Sequence, residues 1–479
     1  MIGHHIFIVI SILIFTIHIA GFCAAIDAVI SVRTAQGAIA WLICLITLPY
    51  IALPMYLIFG RNKFNGYARA HRIAQSKIDV LIDGVYKNLK DFKATLPPKL
   101  LPLEKVINKI TGMSFTEKNS AELLINGENI FNKMLERIAS AKNYILIQFF
   151  IIRDDATAHI FKDLLIKKAT EGVNIYFLYD EVGCHKLSPK YINSLRRHNV
   201  SMQHFYTTKG HGNSLQINFR NHRKILVVDG RCVFIGGINL GDEYLSKGKK
   251  FGFWRDTHVL LEGPCVKAAQ ISFVRDWHWA TGKNLKLNWT LEAANQSSQK
   301  ILIVPTGPEH ELKSFSLFCV SLINSAEKRL WIASPYFVPD ETILSMLRLA
   351  ALRGVDVRIL LPNRADHLLV YICSHAFYKE TELTGIKIYR FKRGFMHQKV
   401  ILVDNLLACV GTANLDNRSQ YLNFEITACV NDKNFILQVE KMLDDDFTGS
   451  YLINPKMYSS KSIWWRFLVN LARLFSPIL

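Results

Sequence analysis

A motif of one histidine, one lysine and one aspartate occurs twice in this 479-residue chain, and it constrains the fold more than any other feature. The first copy lies in "NHRKILVVDG", which begins at Asn221, and the second lies in "FMHQKVILVD", which begins at Phe395. Each copy is followed by a G-x-x-N segment, at residues 236–239 and 411–414. Two copies with matched flanks predict two similar halves, each bringing one histidine and one lysine to a shared place.

Other segments repeat in the same order. "YILIQFFIIRDD" at Tyr144 corresponds to "LWIASPYFVPDE" at Leu330, and "EGVNIYFLYDE" at Glu171 corresponds to "RGVDVRILLPN" at Arg353. Each half therefore reads as strand, helix, strand, further elements and then the motif strand, which predicts an α/β fold with a largely buried sheet. We expect the first half to span residues 116–300 and the second half to span residues 301–455.

The alternation of side chains along a strand assigns the motif residues to two faces. The runs rich in Val, Ile and Leu in both copies are typical of buried strands. The histidine and the lysine of each copy then point the same way, while the aspartate, an odd number of residues further on, points the opposite way. We therefore expect the aspartates to hold local structure. The motif residues are His222, Lys224, Asp229, His397, Lys399 and Asp404.

The residue types around the motif indicate an anion-binding site that contains a nucleophile. The glycines after each strand let the backbone approach a ligand, and Asn239 and Asn414 add amide donors to the two lysines. A phosphodiester fits this set. No H-E-x-x-H segment, cysteine cluster or paired carboxylates accompany either histidine, and the lysines would repel a cation, so we expect neither a metal nor a cofactor.

The amino-terminal 60 residues are predicted to form a transmembrane helical hairpin. Residues 6–25 and 38–59 contain no Asp, Glu, Lys or Arg, and each run is long enough to cross a bilayer. Pro49 and Pro54 should kink the second helix. A cleaved signal peptide is disfavoured because the first residues lack Lys and Arg, and a lipoprotein anchor at Cys23 is disfavoured because Phe22 precedes it.

A basic linker, residues 61–115, follows the hairpin. Residues 61–77 carry five Lys or Arg and no acid, which predicts that the rest of the chain and the amino-terminus face the cytoplasm. The net charge of +19 suits either nucleic acid or an anionic membrane, and the two apolar runs favour the membrane. Nine scattered cysteines are typical of reduced thiols.

Residues 456–479 are predicted to form an amphipathic helix that lies on the membrane surface. Trp464, Phe467, Leu468, Leu471 and Leu474 share one face of this helix. Arginines interrupt the segment, so we do not expect it to span the bilayer. A helix packed in the core is the alternative.

The duplicated H-x-K-x4-D-x6-G-x2-N motif resembles that of the phospholipase D superfamily. More narrowly, the chain is similar to bacterial cardiolipin synthases in "RNHRKILVVDGRCVFIGGINLGDEYL", "PYFVPDE" and "GTANLDNRSQYLNFE". Gly237 departs from the pattern, because a hydroxyl residue is common at that position, whereas Thr412 keeps one in the second half.

The resemblance implies a fold and a reaction. The fold is two tandem α/β/α halves that share one active site. The reaction is a metal-independent phosphatidyl transfer between two phosphatidylglycerol molecules through a phosphohistidine, giving cardiolipin and glycerol. By analogy, His222 is the nucleophile and His397 the acid/base, with Asp256 and Glu425 as supporting carboxylates. Asn239, Asn414 and Thr412 are implied as phosphate ligands.

The sequence leaves other functions open. A phospholipase D or a phosphatidylserine synthase would share the fold and differ in the acceptor, and a membrane-tethered nuclease is a more remote alternative. The expected partners are phosphatidylglycerol and an anionic membrane, without nucleic acid, because no basic track interleaved with aromatic residues is evident. We expect a multi-pass protein of the bacterial inner membrane with a cytoplasmic catalytic part.

Overall fold

The computed structural model describes residues 2–32, 34–60, 84–85, 88–206, 218–248, 250–295, 297–310, 312–454 and 460–479. The predicted basic segment 61–77 lies outside the described residues. Two compact units are present, a helical one at the amino-terminus and a mixed α/β one that carries both motif copies.

The amino-terminal unit is a helical hairpin, as predicted. Helix α1 (Ile2–Ser31) packs on helix α2 (Ala35–Thr47), and a Cβ atom added to Gly21 would lie 2.7 Å from the carbonyl oxygen of Leu45. Glycine thus allows the two backbones to approach closely. Within α1, residues His4–Ser31 form a helix that is long and apolar enough to cross a membrane.

The second arm of the hairpin is broken, which corrects the expectation of one kinked helix over residues 38–59. Helix α2 ends before Leu48, whose φ of −134° and ψ of 55° leave the helical region. Helix α3 (Pro49–Met55) starts with a proline, which has no N–H to continue the ladder. A π-helical turn follows at Tyr56–Gly60. The described residues therefore contain a single candidate span, in α1.

Among the described residues, the α/β unit contains one 16-stranded mixed sheet and two separate two-stranded sheets. The strands before residue 300 are β1 (Thr116–Ile125), β2 (Tyr144–Phe149), β3 (Asn174–Asp180), β4 (Ser201–Phe205), β5 (Arg220–Asn221), β6 (Ile225–Val228), β7 (Cys232–Gly236), β8 (Trp254–Arg255), β9 (Thr257–Glu262) and β10 (Gln299–Thr306). The later strands are β11 (Arg329–Ala333), β12 (Phe337–Val338), β13 (Asp356–Pro362), β14 (Lys387–Phe391), β15 (Phe395–Met396), β16 (Val400–Val403), β17 (Leu407–Gly411), β18 (Leu415–Asp416), β19 (Asn423–Asn431) and β20 (Ser450–Leu452).

Helices cover this sheet. Those before residue 300 are α4 (Leu101–Thr111), α5 (Gly127–Ala139), α6 (Ala156–Thr170), α7 (Pro189–Arg197) and α8 (Val266–Thr281). Those after it are α9 (Ser314–Ser325), α10 (Glu341–Leu352), α11 (Leu368–Ser374), α12 (Tyr378–Glu382), α13 (Asn417–Tyr421), α14 (Lys433–Thr448) and α15 (Ile463–Arg473). The repeated segments end in equivalent caps, since Asp155 accepts from the third residue of α6 and Asp340 from the third residue of α10.

The strand order is the same in both halves, which confirms the predicted duplication. The first half reads β4-β3-β2-β6-β7-β9-β1, and the second reads β14-β13-β11-β16-β17-β19-β10, with β1 and β10 paired antiparallel in the centre. The strand pairs β2–β3 in the first half and β11–β13 in the second half are parallel. The motif strands β6 and β16 pair antiparallel with β2 and β11. The central strands β2, β6 and β7 are buried along their whole length.

Two short strands cross from one half to the other. β5 lies immediately before His222 and pairs with β19, whereas β15 lies immediately before His397 and pairs with β8. As a result the backbone N–H of His222 donates to the carbonyl of Phe424 at 2.9 Å, and that of His397 donates to the carbonyl of Arg255 at 2.8 Å. The backbone of each motif histidine is therefore hydrogen-bonded to a strand of the opposite half.

Candidate active site

His222 is held by a carboxylate of the second half. Its Nδ1 lies 3.0 Å and 2.9 Å from the two oxygens of Glu425, and both side chains are buried. An ionised carboxylate can only accept, so Nδ1 carries the proton and the lone pair remains on Nε2. This tautomer is the one that a nucleophilic imidazole needs.

His397 is held in the same way by a carboxylate of the first half. Its Nδ1 lies 2.9 Å from Oδ2 of Asp256, which is completely buried. Asp256 also accepts from the indole Nε1 of Trp254 at 3.2 Å and from the backbone N–H of Thr257 at 2.9 Å. Each histidine–carboxylate pair thus joins a histidine of one half to a carboxylate of the other. The sequence did not predict this pairing, because the alternation of side chains along a strand shows which face a residue lies on but not which residue it contacts.

The two pairs and the two lysines form one electrostatic cluster. Burial lowers the pKa of Lys399 to about 8, against the raising influence of Asp256 and Glu425. Burial also lowers the pKa of Lys224 well below its ordinary value, and the charge of Lys399 lowers it further. A bound phosphate anion would favour the charged form of both amines. Each amine donates to the backbone carbonyl of the motif histidine of its own half.

Burial favours the neutral form of both imidazoles. Burial lowers the pKa of His222 to about 4, although Glu425 raises it, and burial lowers the pKa of His397 with a further contribution from Lys399. Burial alone would raise the pKa of Glu425, but the interactions with His222, Lys224 and Thr412 outweigh it and bring that pKa to about 2. A neutral imidazole beside a fixed carboxylate can attack phosphorus without first losing a proton.

Thr412 has a different place from the one expected. Its hydroxyl donates to Glu425 at 2.6 Å and accepts from the backbone N–H of Ile426 at 3.0 Å. Both capacities of the hydroxyl are therefore directed at the strand that carries Glu425, which corrects the expectation that Thr412 binds phosphate. In this position Thr412 orients the carboxylate that orients His222.

Gly237, the equivalent of Thr412 in the first half, has no room for a side chain. A Cβ atom there would lie 2.1 Å from Oδ1 of Asp256. The shorter aspartate lies directly against this glycine and takes its extra hydrogen bond from Trp254. The hydroxyl missing from the first half is therefore replaced by an indole N–H.

Asn239 and Asn414 are buried, and each lies three residues after the end of its strand, β7 or β17. The amide oxygen of Asn239 accepts from the backbone N–H of Ile151 at 3.1 Å, and its nitrogen donates to Tyr244 at 3.3 Å. The amide nitrogen of Asn414 donates to Asp416 at 3.2 Å. Each amide nitrogen carries a second hydrogen, so a role in phosphate binding stays a prediction for both residues.

Asp229 and Asp404 lie away from the imidazoles. The carboxylate of Asp229 accepts from the backbone N–H groups of Lys142, Asn143 and Tyr144 at 2.7–2.8 Å, at the start of β2. Asp404 accepts in the same way from residues 327–329 at 2.8–2.9 Å, at the start of β11. The motif strands β6 and β16 end one residue before these aspartates, and φ values of 52° for Asp229 and 49° for Asp404 place both in turns. This geometry agrees with the predicted structural role. The reason differs from the one expected, because the aspartates lie in turns after the strands and not on the opposite face of the strands.

Two buried arginine–aspartate pairs, which sequence reasoning missed, support the crossed geometry. Arg223 makes two 2.8 Å bonds from Nη1 to Asp276 on α8, and its Nε donates to the backbone carbonyl of Glu425 at 3.1 Å. Arg223 lies between His222 and Lys224, so its place in the motif could have drawn attention to it. Nothing in the sequence pointed to Asp276, a residue in the middle of a helix.

The second pair does the same for Asp256. Arg255 donates from Nε and Nη2 to Asp446 on α14 at 2.8 Å, and its Nη1 donates to the backbone carbonyl of Asp256 at 3.0 Å. Gln398, between the second histidine and lysine, also donates to Asp446 at 2.7 Å and thus points away from the site, as predicted. Two buried arginines, both in the first half, therefore hold the backbone carbonyls of Glu425 and Asp256, whose carboxylates orient His222 and His397.

Comparison with known proteins agrees with this architecture. The family described as "Cardiolipin synthase, PLD-like domain" matches residues 134–256 and 319–447. Cardiolipin synthase A of Pseudomonas aeruginosa (strain LESB58) is 43% identical over 472 residues, which cover 97% of this chain and 95% of the relative. Cardiolipin synthase A of Pseudomonas putida (strain GB-1) is 42% identical over 465 residues, with 97% of each chain covered.

A solved structure shares the fold. The crystal structure of phosphatidylserine synthase from Haemophilus influenzae Rd KW20 superposes with a TM-score of 0.61 at 14% identity and covers 79% of this chain and 100% of its own. With two matched halves, crossed histidine–carboxylate pairs and near full-length similarity, the chain belongs to the cardiolipin synthase family of phospholipase D-like phosphatidyltransferases.

Proposed function

We propose that the protein transfers a phosphatidyl group from one phosphatidylglycerol molecule to the terminal hydroxyl of another, releasing glycerol and forming cardiolipin. The observation that carries this proposal is the pair of crossed histidine–carboxylate contacts, His222 with Glu425 and His397 with Asp256, in one cluster with two lysines. Such a cluster supplies a nucleophile, an acid/base and positive charge around one phosphate.

The first step makes a covalent intermediate. Nε2 of His222 attacks the phosphorus of phosphatidylglycerol, a phosphorus–nitrogen bond forms, and the bond from phosphorus to the headgroup glycerol oxygen breaks. The negative charge of the bound phosphodiester favours the protonated form of His397, which donates its proton to that oxygen, so glycerol leaves as a neutral alcohol. Glu425 stabilises the positive charge that His222 acquires when it is phosphorylated.

The second step reverses the roles of acid and base. The now neutral His397 removes the proton from the terminal hydroxyl of a second phosphatidylglycerol, whose oxygen attacks the phosphorus. The phosphorus–nitrogen bond breaks, His222 returns to its neutral state, and His397 is again protonated. Lys224 and Lys399 stabilise the charge on the non-bridging oxygens in both steps, with the amides of Asn239 and Asn414 as further donors.

The products of one incubation distinguish this reaction from its alternatives. Purified full-length protein in mixed micelles, with chelator present, receives phosphatidylglycerol labelled in the headgroup glycerol. One glycerol released per cardiolipin formed supports the transfer. Phosphatidic acid as the main product would mean hydrolysis, formation of phosphatidylserine only after serine is added would mean a serine acceptor, and cleavage of an oligonucleotide without lipid turnover would mean a nuclease.

We also propose that the protein is a multi-pass protein of the bacterial inner membrane with its α/β unit in the cytoplasm. Support comes from the long apolar helix His4–Ser31, from the apolar segments after it, and from the five Lys or Arg in residues 61–77. Reporter fusions after residues 32 and 61 test this topology. A periplasmic signal at the first position and a cytoplasmic signal at the second is the expected result, and the same signal at both would contradict two crossings.

A further inference from the structure

The exposed face of helix α15 is an apolar surface with no covering element among the described residues of the α/β unit. Trp464 is 78% exposed and Leu474 is 74% exposed, and the side chains between them on the same face are also exposed. Those side chains are Phe467, Leu468 and Leu471. Monomeric soluble proteins rarely leave such a patch open, so it marks an interaction site.

The opposite face of the same helix is firmly packed on the second half. Val469 is fully buried and Ala472 nearly so. Trp465 meets His375 edge to face at 5.7 Å, and Arg473 forms an ion pair with Glu380 at 3.2 Å. The helix is therefore a fixed part of the second half with one face outward. Leu368 and Leu369, at the start of the neighbouring helix α11, are exposed too.

Charge identifies the occupant of this surface. From Phe447 to Leu479 the chain has four Lys or Arg and no Asp or Glu. An outward face of exposed tryptophan, phenylalanine and leucine, with the exposed Lys461 beside it and no carboxylate side chain in the segment, fits the interface of an anionic bilayer, where aromatic rings enter the headgroup region and basic residues attract the lipid charge.

The segment after the helix is connected to the candidate active site. It ends in a 3-10 turn, Ser476–Ile478, next to helix α13. The backbone N–H of Arg418 in α13 donates to the carbonyl of Leu479 at 2.9 Å, and its Nη1 donates to the carbonyl of Ile478 at 3.1 Å. The next residue, Ser419, donates its hydroxyl to Glu425 at 2.9 Å. A five-residue helix is not stable alone, so α13 depends on such contacts.

We propose that residues 463–479 are a lipid-docking element that also positions Glu425, so that attachment to an anionic bilayer and orientation of His222 involve the same segment. The proposal rests on the proposed phosphatidyl transfer for its assay. It replaces the simpler view that the carboxy-terminal helix serves only to concentrate the enzyme at the membrane.

Photo-cross-linking of full-length protein in proteoliposomes tests the occupant. A benzophenone amino acid replaces Phe467 in one variant and Ile160, an exposed residue of α6, in the control. The proposal expects labelled phospholipid to be attached at position 467 and at least tenfold less at position 160. Attachment of a second copy of the chain at position 467, or equal labelling at both positions, would overturn the lipid assignment.

Two variants test the positioning role with a short-chain phosphatidylglycerol below its micellar concentration. Trp464→Ser with Phe467→Ser removes the outward face and should keep kcat within about twofold, while activity on vesicles falls roughly 100-fold or more. Val469→Asp detaches the packed face and should lower kcat on the soluble substrate at least tenfold with little change in KM.

Val469→Ala is the control for this variant, and the thermal midpoint of each protein is measured. The thermal midpoints show whether a loss of kcat comes from detachment of the helix or from unfolding of the protein. A folded Val469→Asp protein with wild-type kcat on the soluble substrate would overturn the positioning role. A tenfold loss of kcat in the outward-face variant would overturn the separation of the two faces. If wild-type protein releases no glycerol from the soluble substrate, the proposed function fails, whereas the cross-linking result still decides the docking surface.

Discussion

Replacement of Glu425 by glutamine removes one charge and almost no volume, and it should abolish the crossed orientation of His222. The carboxylate accepts from His222, from the hydroxyls of Thr412 and Ser419 at 2.6 Å and 2.9 Å, and from the amide of Asn423 at 3.2 Å. The hydroxyls can rotate to accept from the new amide, so the fold should lose only about 1–2 kcal/mol.

The chemical loss in Glu425→Gln should be much larger. An amide no longer requires the proton of His222 to be on Nδ1, so the tautomer that carries it on Nε2, the attacking atom, becomes populated. The neutral side chain also stops compensating the positive charge of the phosphorylated imidazole. Together these effects should lower kcat roughly 10³–10⁴-fold, or about 4–5.5 kcal/mol of transition-state stabilisation, with KM changed little.

The assay is glycerol release from headgroup-labelled phosphatidylglycerol in mixed micelles, with the thermal midpoint measured alongside. Glu262→Gln is the matched control, because Glu262 lies at the far end of β9 in an ion pair with Arg137 at 2.7 Å. It should keep full activity. A folded Glu425→Gln enzyme with kcat within tenfold of wild type would refute the role that the geometry gives to this carboxylate.

Three other outcomes follow from the structure. Asp229→Asn keeps the left-handed turn, which asparagine tolerates, but it loses acceptors for three backbone N–H groups. The free energy of unfolding should therefore fall by about 1–3 kcal/mol, while kcat per folded molecule stays unchanged. A stable but inactive protein would contradict this. Arg223→Gln leaves Asp276 buried without its cation and should destabilise the protein by about 3–5 kcal/mol, part of which a further Asp276→Asn should recover; an additive double variant in a melting experiment would contradict the pairing. The pKa of Lys399 near 8 predicts that kcat/KM falls as pH rises through 8, because the charged amine is the active form and kcat/KM reports the ionisation of the free enzyme. Stability should move the opposite way, since an unfolded lysine keeps its proton up to about 10.5 and the unfolded state therefore binds more protons between these values; parallel loss of both in a pH series would contradict the assignment.

Much of the fold could be predicted from residue patterns because each pattern is local. The repeated segments at Tyr144 and Leu330 became equivalent strands, β2 and β11, and the G-x-x-N segments lie at equivalent places in both halves, at the ends of β7 and β17. The family resemblance also supplied Asp256 and Glu425 as supporting carboxylates. These features depend on periodicity and on short motifs, which a single sequence records.

What could not be predicted depends on contacts across the sheet. The crossed pairing of Asp256 with His397 requires the short strands β8 and β15 to meet, and nothing local to either strand records that contact. The family resemblance implied that Thr412 binds phosphate, whereas in the structure its hydroxyl donates to Glu425, its neighbour across the strand pair. The apolar run 38–59 was long enough to span a membrane as one helix, but the break at Leu48 divides it.

The most direct test of the account is the covalent intermediate, trapped with a phosphatidyl ester of p-nitrophenol. This leaving group departs without an acid, so His397→Ala should release one equivalent of nitrophenol in a burst and then stall, because no base activates the acceptor. Alkaline quenching and peptide mass spectrometry should find the phosphatidyl group on His222, and His222→Ala should show neither burst nor adduct. A burst from His222→Ala, an adduct on another residue, or steady turnover by His397→Ala without a trapped intermediate would contradict the shared two-histidine site.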